Sequence, residues 1–202
     1  MSPAPLQMIL ASASPRRKTL LGRLGLAFDV LPADVPEELE PLEEADHAVL
    51  RLARAKAAAV SRRQPDSLVV GADTMVLLDG RIMGKPADAA EAAEMLGSLS
   101  GRTHLVLTAV ALECPRRGHS TAISETTAVT FHELDREDID FYLAGSLPLD
   151  KAGAYGIQDF SGVFVSRIEG CYHNVMGFPL AHFHRHLKAT GLWPDIHKIN
   201  NL

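Results

Sequence analysis

Ser67-Leu-Val-Val-Gly-Ala-Asp-Thr-Met-Val-Leu-Leu78 is a run of Val and Leu bounded by turn residues, with a single carboxylate, Asp73, set inside it. Such a run reads as a strand of a sheet buried on both faces, the habit of α/β proteins. A bare carboxylate does not belong there. Burying an ionised group without a partner is so unfavourable that Asp73 needs a cation, a ring of donors, or a place at the strand's end facing a cleft. Gly71 and Ala72, just before it, leave room for something to approach the backbone. Asp73 is therefore the expected chemical centre. The plainer reading is an Asp that caps a turn between two short strands and satisfies local amides.

Upstream, Gln7-Met-Ile-Leu-Ala11 reads as a short buried strand, followed at once by Ser12-Ala-Ser-Pro-Arg-Arg-Lys-Thr-Leu-Leu21. Ser14 as N-cap and Pro15 at the first helical position predict a helix start, with Leu20, Leu21 and Leu24 as its apolar face and Gly25 as its stop. Arg16 and Arg17 sit in the first turn, against the helix dipole, so an anion is expected there; the alternative is two solvated arginines beside a capping serine. Phe28-Asp-Val-Leu31 reads as a second strand. Pro32 to Pro41 is a proline-studded acidic loop with Glu37, Glu38 and Glu40, of a kind that is usually just solvated. An alanine-rich helix is predicted from about Glu43 to Arg62. Lys56 falls near its apolar side, where it either snorkels or reaches a pocket as a charge donor.

Downstream, Asp79-Gly80 signals a hairpin returning through Arg81-Ile-Met83. Gly84-Lys-Pro-Ala-Asp88 leads into a helix capped by Asp88, with Ala89 to Leu99 as its body, and holds Lys85 on a stiff turn. Thr103 to Leu112 and Thr121 to Phe131 are two long β-type runs, expected to pair antiparallel. Asp135 opens a helix to about Ala144. Asp150-Lys-Ala-Gly-Ala-Tyr-Gly-Ile-Gln158 is neither helix nor plain strand: its small residues bring the backbone close to something, while Asp150, Lys151, Tyr155 and Gln158 supply directional groups, as a binding loop would. Val163 to Ile168 reads as a strand, Gly170 to Gly177 as a polar turn containing Asn174, and Pro179 begins a last helix. Of its histidines only His182 and His186 share a face, and with no acidic or cysteine partner nearby they read as surface residues before metal ligands. The tail from Trp193 to Leu202 is expected to be loosely held.

The whole chain has 202 residues, enough to bury roughly 70% of its unfolded surface without cross-links. One domain over residues 1–192, built of two lobes, is expected ahead of a tail at 193–202. Its two cysteines, Cys114 and Cys171, lie in no CxxC or Cys/His cluster, which argues against a zinc site or a disulfide framework. There is no basic n-region, and no stretch reaches the ~18 apolar residues of a membrane span, so a cytoplasmic protein without a membrane partner is expected. A net charge of −5 without a Lys/Arg-rich block is a poor match to a nucleic-acid surface.

Taken together, Ser12-Ala-Ser-Pro-Arg-Arg17, Gly71-Ala-Asp-Thr74, Gly84-Lys-Pro86, Asp150 to Gln158 and Asn174-Val-Met-Gly-Phe-Pro179 resemble the Maf (septum formation inhibitor) family of nucleoside triphosphate pyrophosphatases. The likeness spans about residues 7 to 188 in order. It implies an α/β, inosine-triphosphatase-like fold: a mixed twisted sheet with flanking helices and two lobes around a cleft. It further implies hydrolysis of a nucleoside triphosphate to a monophosphate and pyrophosphate, a house-cleaning reaction, with a divalent cation, Mg²⁺ or Mn²⁺. By that likeness Asp73 is the proton acceptor, and Arg16, Thr74 and Gln158 shape base specificity. Glu37, Lys56 and Lys85 look like the family's additional charged residues. The form of the 150–158 loop is similar to that of the dTTP/UTP-preferring branch. Phe178 stands where leucine is usual, a packing change, and Asp159 stands where glycine is commoner, adding a negative charge beside the expected base pocket.

The chemistry asks for these residues. Arg16, Arg17, Lys56, Lys85 and Lys151 offset triphosphate charge, and amides from Ser14 onward add fixed dipoles. Asp73 and Glu37 either hold the metal ion or one of them orients the attacking water. A nucleotide-binding regulator of cell division with little turnover is the second reading; a kinase or phosphatase is disfavoured because no Walker-type sequence occurs. A homodimer is compatible with the chain, whose sequence does not fix its oligomeric state.

Overall fold

The computed structural model describes residues 6–145 and 147–196. The chain runs β1 (Met8–Leu10), α1 (Pro15–Gly22), β2 (Phe28–Val30), α2 (Ala45–Ser61), β3 (Leu68–Leu78), β4 (Arg81–Met83), α3 (Ala89–Leu99), β5 (Thr103–Cys114), β6 (His119–Phe131), α4 (Arg136–Gly145), β7 (Val165–Glu169), α5 (Tyr172–Val175) and α6 (Leu180–Ala189). The described strands form one mixed sheet in the order β2-β1-β3-β5-β6-β7, with β4 beside β3. This is the α/β architecture with flanking helices that the alternation of patterns predicts.

Two compact units divide the chain: Met1–Asp73, Thr108–Glu125 and Gly177–Leu202 in the first, Thr74–Leu107 and Thr126–Met176 in the second. In the first, β1 pairs parallel with both β2 and β3, and α1 and α2 are the crossovers such pairing needs. Helix α1 begins as predicted: Pro15 occupies the first position and Ser14 Oγ accepts from Arg17 N. Leu20 and Leu21 are fully buried, each worth roughly 1.5–3 kcal/mol relative to exposure. Strand β3 is buried along almost its whole length. Gly71 explains how α2 covers it: a Cβ there would stand 2.3 Å from the Ala53 carbonyl oxygen and 2.6 Å from the Ala57 nitrogen. What the small residues before Asp73 admit is thus the backbone of α2, not a ligand.

In the second unit, Asp79 and Gly80 both take positive φ, 49° and 77°, the turn that joins β3 to β4. Asp88 caps α3 by accepting from Glu91 N, and Glu91 Oε2 accepts from Ala87 N in return. Strands β5 and β6 are antiparallel neighbours: Thr103 meets Thr130, and Asn174 Nδ2 reaches both Val106 O and Thr127 Oγ1 at 2.9 Å, pairs that share one register. His104, Phe131 and Tyr155 pack edge to face, with Phe164 tilted against Phe131, as the aromatic core of this unit. Residues 160–164 are a 3₁₀ turn and β7 starts only at Val165, later than the sequence pattern suggests, because Gly162 N turns back to Asp159 O. Trp193 to Ile196 are tied down, contrary to expectation: Leu6 bridges Ile196, and Arg117 Nη1 pairs with Asp195 at 2.7 Å. The remainder of the tail lies outside the described residues. Among the described residues no helix is long and apolar enough to cross a membrane.

Candidate active site

The first unit gathers Ser14, Arg16, Arg17, Glu37, Lys56 and Asp73. The turn after β1 is built on hydroxyls: Ser12 Oγ accepts from Ser14 N and from Arg17 Nη1, both at 3.2 Å. Arg17 Nε also donates to the Gly177 carbonyl at 3.0 Å, so this guanidinium braces the turn against the segment leading into α6. Burial lowers the Arg17 pKa from its ordinary value, the field of Asp73 raises it, Arg16 lowers it and Glu37 raises it. Part of the anion that the first-turn arginines call for is therefore supplied by the chain itself.

Asp73 has the cation it needs. Lys56 Nζ lies 2.6 Å from Asp73 Oδ1 and 2.5 Å from Glu37 Oε1, joining the two carboxylates through one ammonium. Lys56 and Asp73 are 7% and 8% exposed, whereas the Glu37 side chain is 46% exposed, so the cluster opens to water on the Glu37 side. Lys56 does not snorkel; it is the charge donor. The turn-cap reading of Asp73 fails too, since its partner is an ammonium from another element. The acidic loop is tethered as well: Arg51 holds both oxygens of Glu43 at 2.7 Å and reaches the Glu38 carbonyl at 3.1 Å. That bond pulls the Glu43 carboxyl down to about 2 and fixes the base of the segment that carries Glu37.

Among the described residues no three His, Cys, Asp or Glu side chains stand together as a metal cage. Two carboxylates are a sufficient protein contribution only for a hard ion that keeps several waters and shares its remaining positions with phosphate oxygens. That is the habit of Mg²⁺ and of similar oxygen-preferring ions, and Asp73 with Glu37 fits it.

Thr74, Lys85, Asp150, Lys151 and Gln158 belong to the second unit. The Lys85 turn is pinned to the 150s loop, Gly84 O accepting from Gly153 N at 3.0 Å. Gly153 and Ala154 both have positive φ, and a Cβ at Gly153 would press on Val76 at 3.2 Å. The close approach inferred from the small residues of this loop is thus to β3 of the protein itself. Lys151 is buried between Asp150 at 2.9 Å and Asp159 at 3.5 Å, so the charge of Asp159 does not stand alone. Gly156 leaves the space for that pair: a Cβ there would come within 2.8 Å of Asp159 Oδ2. The Gln158 and Lys85 side chains are exposed.

Sequence reasoning missed His104, and it missed the partners of His182 and His186. His104 Nε2 meets the buried Tyr155 hydroxyl at 2.8 Å, anchoring the loop between Lys151 and Gln158. On α6, His182 Nδ1 pairs with Glu125 Oε2 at 2.6 Å and His186 Nε2 with Thr121 Oγ1 at 2.9 Å. These histidines are fastened to β6 and do have an acidic neighbour, but that neighbour is 57 residues away in sequence and no local signal announces it. Phe178 is fully buried against Phe183, ring centroids 4.9 Å apart, as the packing reading expects. Cys114 and Cys171 are both free thiols.

The family described as Maf-like protein matches residues 7–190. A protein of Bacillus cytotoxicus named dTTP/UTP pyrophosphatase is 48% identical over 182 residues, covering 90% of this chain and 94% of its own. A Bacillus cereus protein of the same name is 45% identical over 186 residues, covering 92% and 96%. Among solved structures, the Ham1 protein of Staphylococcus aureus aligns with a TM-score of 0.44 at 14% identity, over 63% of this chain and 72% of that one. A HAM1 protein of Coxiella burnetii aligns at 0.41 and 19%, over 65% and 75%, and neither alignment is close enough to bear on function. A match along nearly all of the sequence, with every quoted motif inside it, means that the chain belongs to the Maf family.

Proposed function

We propose that the protein is a nucleoside triphosphate pyrophosphatase that hydrolyses dTTP and UTP to the monophosphate and pyrophosphate. The observation that carries this reading is the Glu37–Lys56–Asp73 cluster, buried at Lys56 and Asp73 and open to water at Glu37, in the same unit as an arginine-bearing helix start, in a chain 48% identical to a dTTP/UTP pyrophosphatase. The reading as a regulator that binds nucleotide without turnover is not favoured, since the relatives that match most of the chain carry the name of an enzyme.

Water attacks the α-phosphorus, the bond to the bridging oxygen of the β-phosphate breaks, and pyrophosphate leaves. Asp73 orients that water and accepts its proton; in the nucleotide-free protein Lys56 supplies the counter-charge that burial of this carboxylate demands. Ser14, Arg16 and the first amides of α1 bind phosphate oxygens, with Arg17 as the brace of the turn. A divalent ion held by Asp73 and Glu37 would supply Lewis-acid neutralisation of phosphate charge. Lys85, Lys151 and Asp150 are assigned to the phosphate and sugar, and Thr74 and Gln158 to the base. Gln158 carries an acceptor and a donor side by side, matching N3–H and O4 of uracil or thymine.

The test is incubation with dTTP or UTP and Mg²⁺ or Mn²⁺, with products resolved by chromatography. Monophosphate and pyrophosphate in equal amounts, lost with EDTA and restored by the ion, is the expected result. Tight binding without product would favour the regulator, and inorganic phosphate as first product would make the enzyme a phosphatase.

A further inference from the structure

The carboxylates assigned to the metal already hold a cation. Lys56 Nζ has three N–H donors and no acceptor, and it stands within hydrogen-bond distance of Asp73 Oδ1 and Glu37 Oε1. An ammonium and a divalent ion repel each other at such separations in a partly dry site, so Lys56 at these oxygens weakens the hold of Asp73 and Glu37 on a metal ion. We propose that Lys56 is the resident cation of the nucleotide-free protein and competes with the divalent ion for Asp73 and Glu37. Its ammonium moves to a phosphate oxygen when the metal-bound triphosphate arrives. The proposal rests on the reading of Asp73 and Glu37 as metal carboxylates.

The chain is built for such a movement. Lysine is a compact charge on a four-carbon stem, able to re-aim where arginine's planar fork would not. Glu37 is the more exposed partner, so the ammonium has a way out on that side. Arg17 also feels the field of both carboxylates, but its bonds to Ser12 and Gly177 brace it where it is. The consequence is an order of binding: the idle protein takes up metal weakly, and nucleotide and metal enter together.

The experiment measures Mn²⁺ binding without nucleotide, by titration calorimetry and by the spectrum of free Mn²⁺. Lys56→Met is expected to bind Mn²⁺ about tenfold or more tightly than the parent protein, because a positive charge at contact distance is gone. Adding Asp73→Asn to that variant should abolish the gain. Equal or weaker binding by Lys56→Met, with Asp73→Asn still weakening the parent, overturns the competition and leaves the metal reading standing. Mn²⁺ binding that ignores Asp73→Asn and Glu37→Gln overturns the metal reading itself. Should Lys56→Met not fold, the parent protein answers the question. Acetylation of Lys56, mapped by mass spectrometry, is expected to speed up several-fold when Mn²⁺ is added, and an unchanged or slower rate overturns the competition.

Discussion

His104 Nε2 and the Tyr155 hydroxyl are 2.8 Å apart, with His104 1% and Tyr155 6% exposed, so a titratable ring closes the core of the second unit and tethers the loop that runs on to Gln158. Burial holds the His104 pKa down to about 4, from 6.5, and pushes the Tyr155 hydroxyl up. A depressed histidine binds its proton more readily in the unfolded chain. Its contribution to stability is therefore complete above pH 6.5, declines as the pH falls, and is gone by about pH 4, a loss of about 3 kcal/mol. Urea unfolding at pH 7, 5.5 and 4.5 is expected to show this decline, and His104→Gln, which keeps a polar partner for Tyr155 but has no proton to take up, is expected to flatten it. Equal slopes for the two proteins would place the acid sensitivity elsewhere.

Gly71 carries a second prediction. A methyl group there would meet the backbone of α2 at Ala53 and Ala57, and backbone cannot swing aside as a side-chain tip can. Gly71→Ala is expected to push α2 away from β3, to destabilise the protein by about 1–3 kcal/mol, and to lower activity beyond the loss of folded molecules, because Lys56 on α2 would part from Asp73 on β3. Pyrophosphate release per folded molecule, with the folded fraction taken from circular dichroism, separates the two effects.

These two positions also mark what a sequence yields and what it withholds. Ser14 with Pro15, Asp79 with Gly80, and Asp88 ahead of alanines act on their nearest neighbours, so the elements they start and stop could be read one after another. The sequence also pointed to Asp73, because a lone carboxylate in an apolar run asks for a partner wherever it is buried. Which partner was not readable. Lys56 is 17 residues away and reaches Asp73 only because Gly71 lets two backbones touch. Tyr155 finds His104 across 51 residues, and Glu125 finds His182 across 57. Periodicity gives the face a side chain lies on, but the register of one element against another comes from packing, and these pairs live in that register.

Gln158 tests the base assignment. Its amide offers an oxygen to N3–H and a nitrogen to O4, and replacing it with glutamate keeps the first contact while setting a negative oxygen against O4. Gln158→Glu is expected to lower kcat/KM for UTP and dTTP by about 10²-fold, since a hydrogen bond to the base turned repulsive costs a few kcal/mol. Because O4 is replaced by an amino group in cytosine, CTP should lose less and could gain. A uniform fall across UTP, dTTP and CTP would mean that Gln158 shapes the loop and does not read the base.

Asp73→Asn is the most direct trial of the mechanism. The amide is almost the same shape as the carboxylate, its Oδ1 can still accept from Lys56 Nζ, and Glu37 remains 2.5 Å from that ammonium, so the cluster keeps one full charge pair and the fold is expected to survive. What is lost is chemical. An amide does not take a proton from water, and it binds a hard divalent ion far less well than a carboxylate does. Turnover should fall by about 10²-fold or more while cooperative thermal melting is retained. Mn²⁺ titrations then divide the two possible causes. If saturating metal restores most of the rate, Asp73 serves chiefly as a ligand; if the rate stays low with metal bound, the missing function is proton acceptance. Pyrophosphate release close to that of the parent protein would take Asp73 out of the reaction and leave its bond to Lys56 as a structural brace.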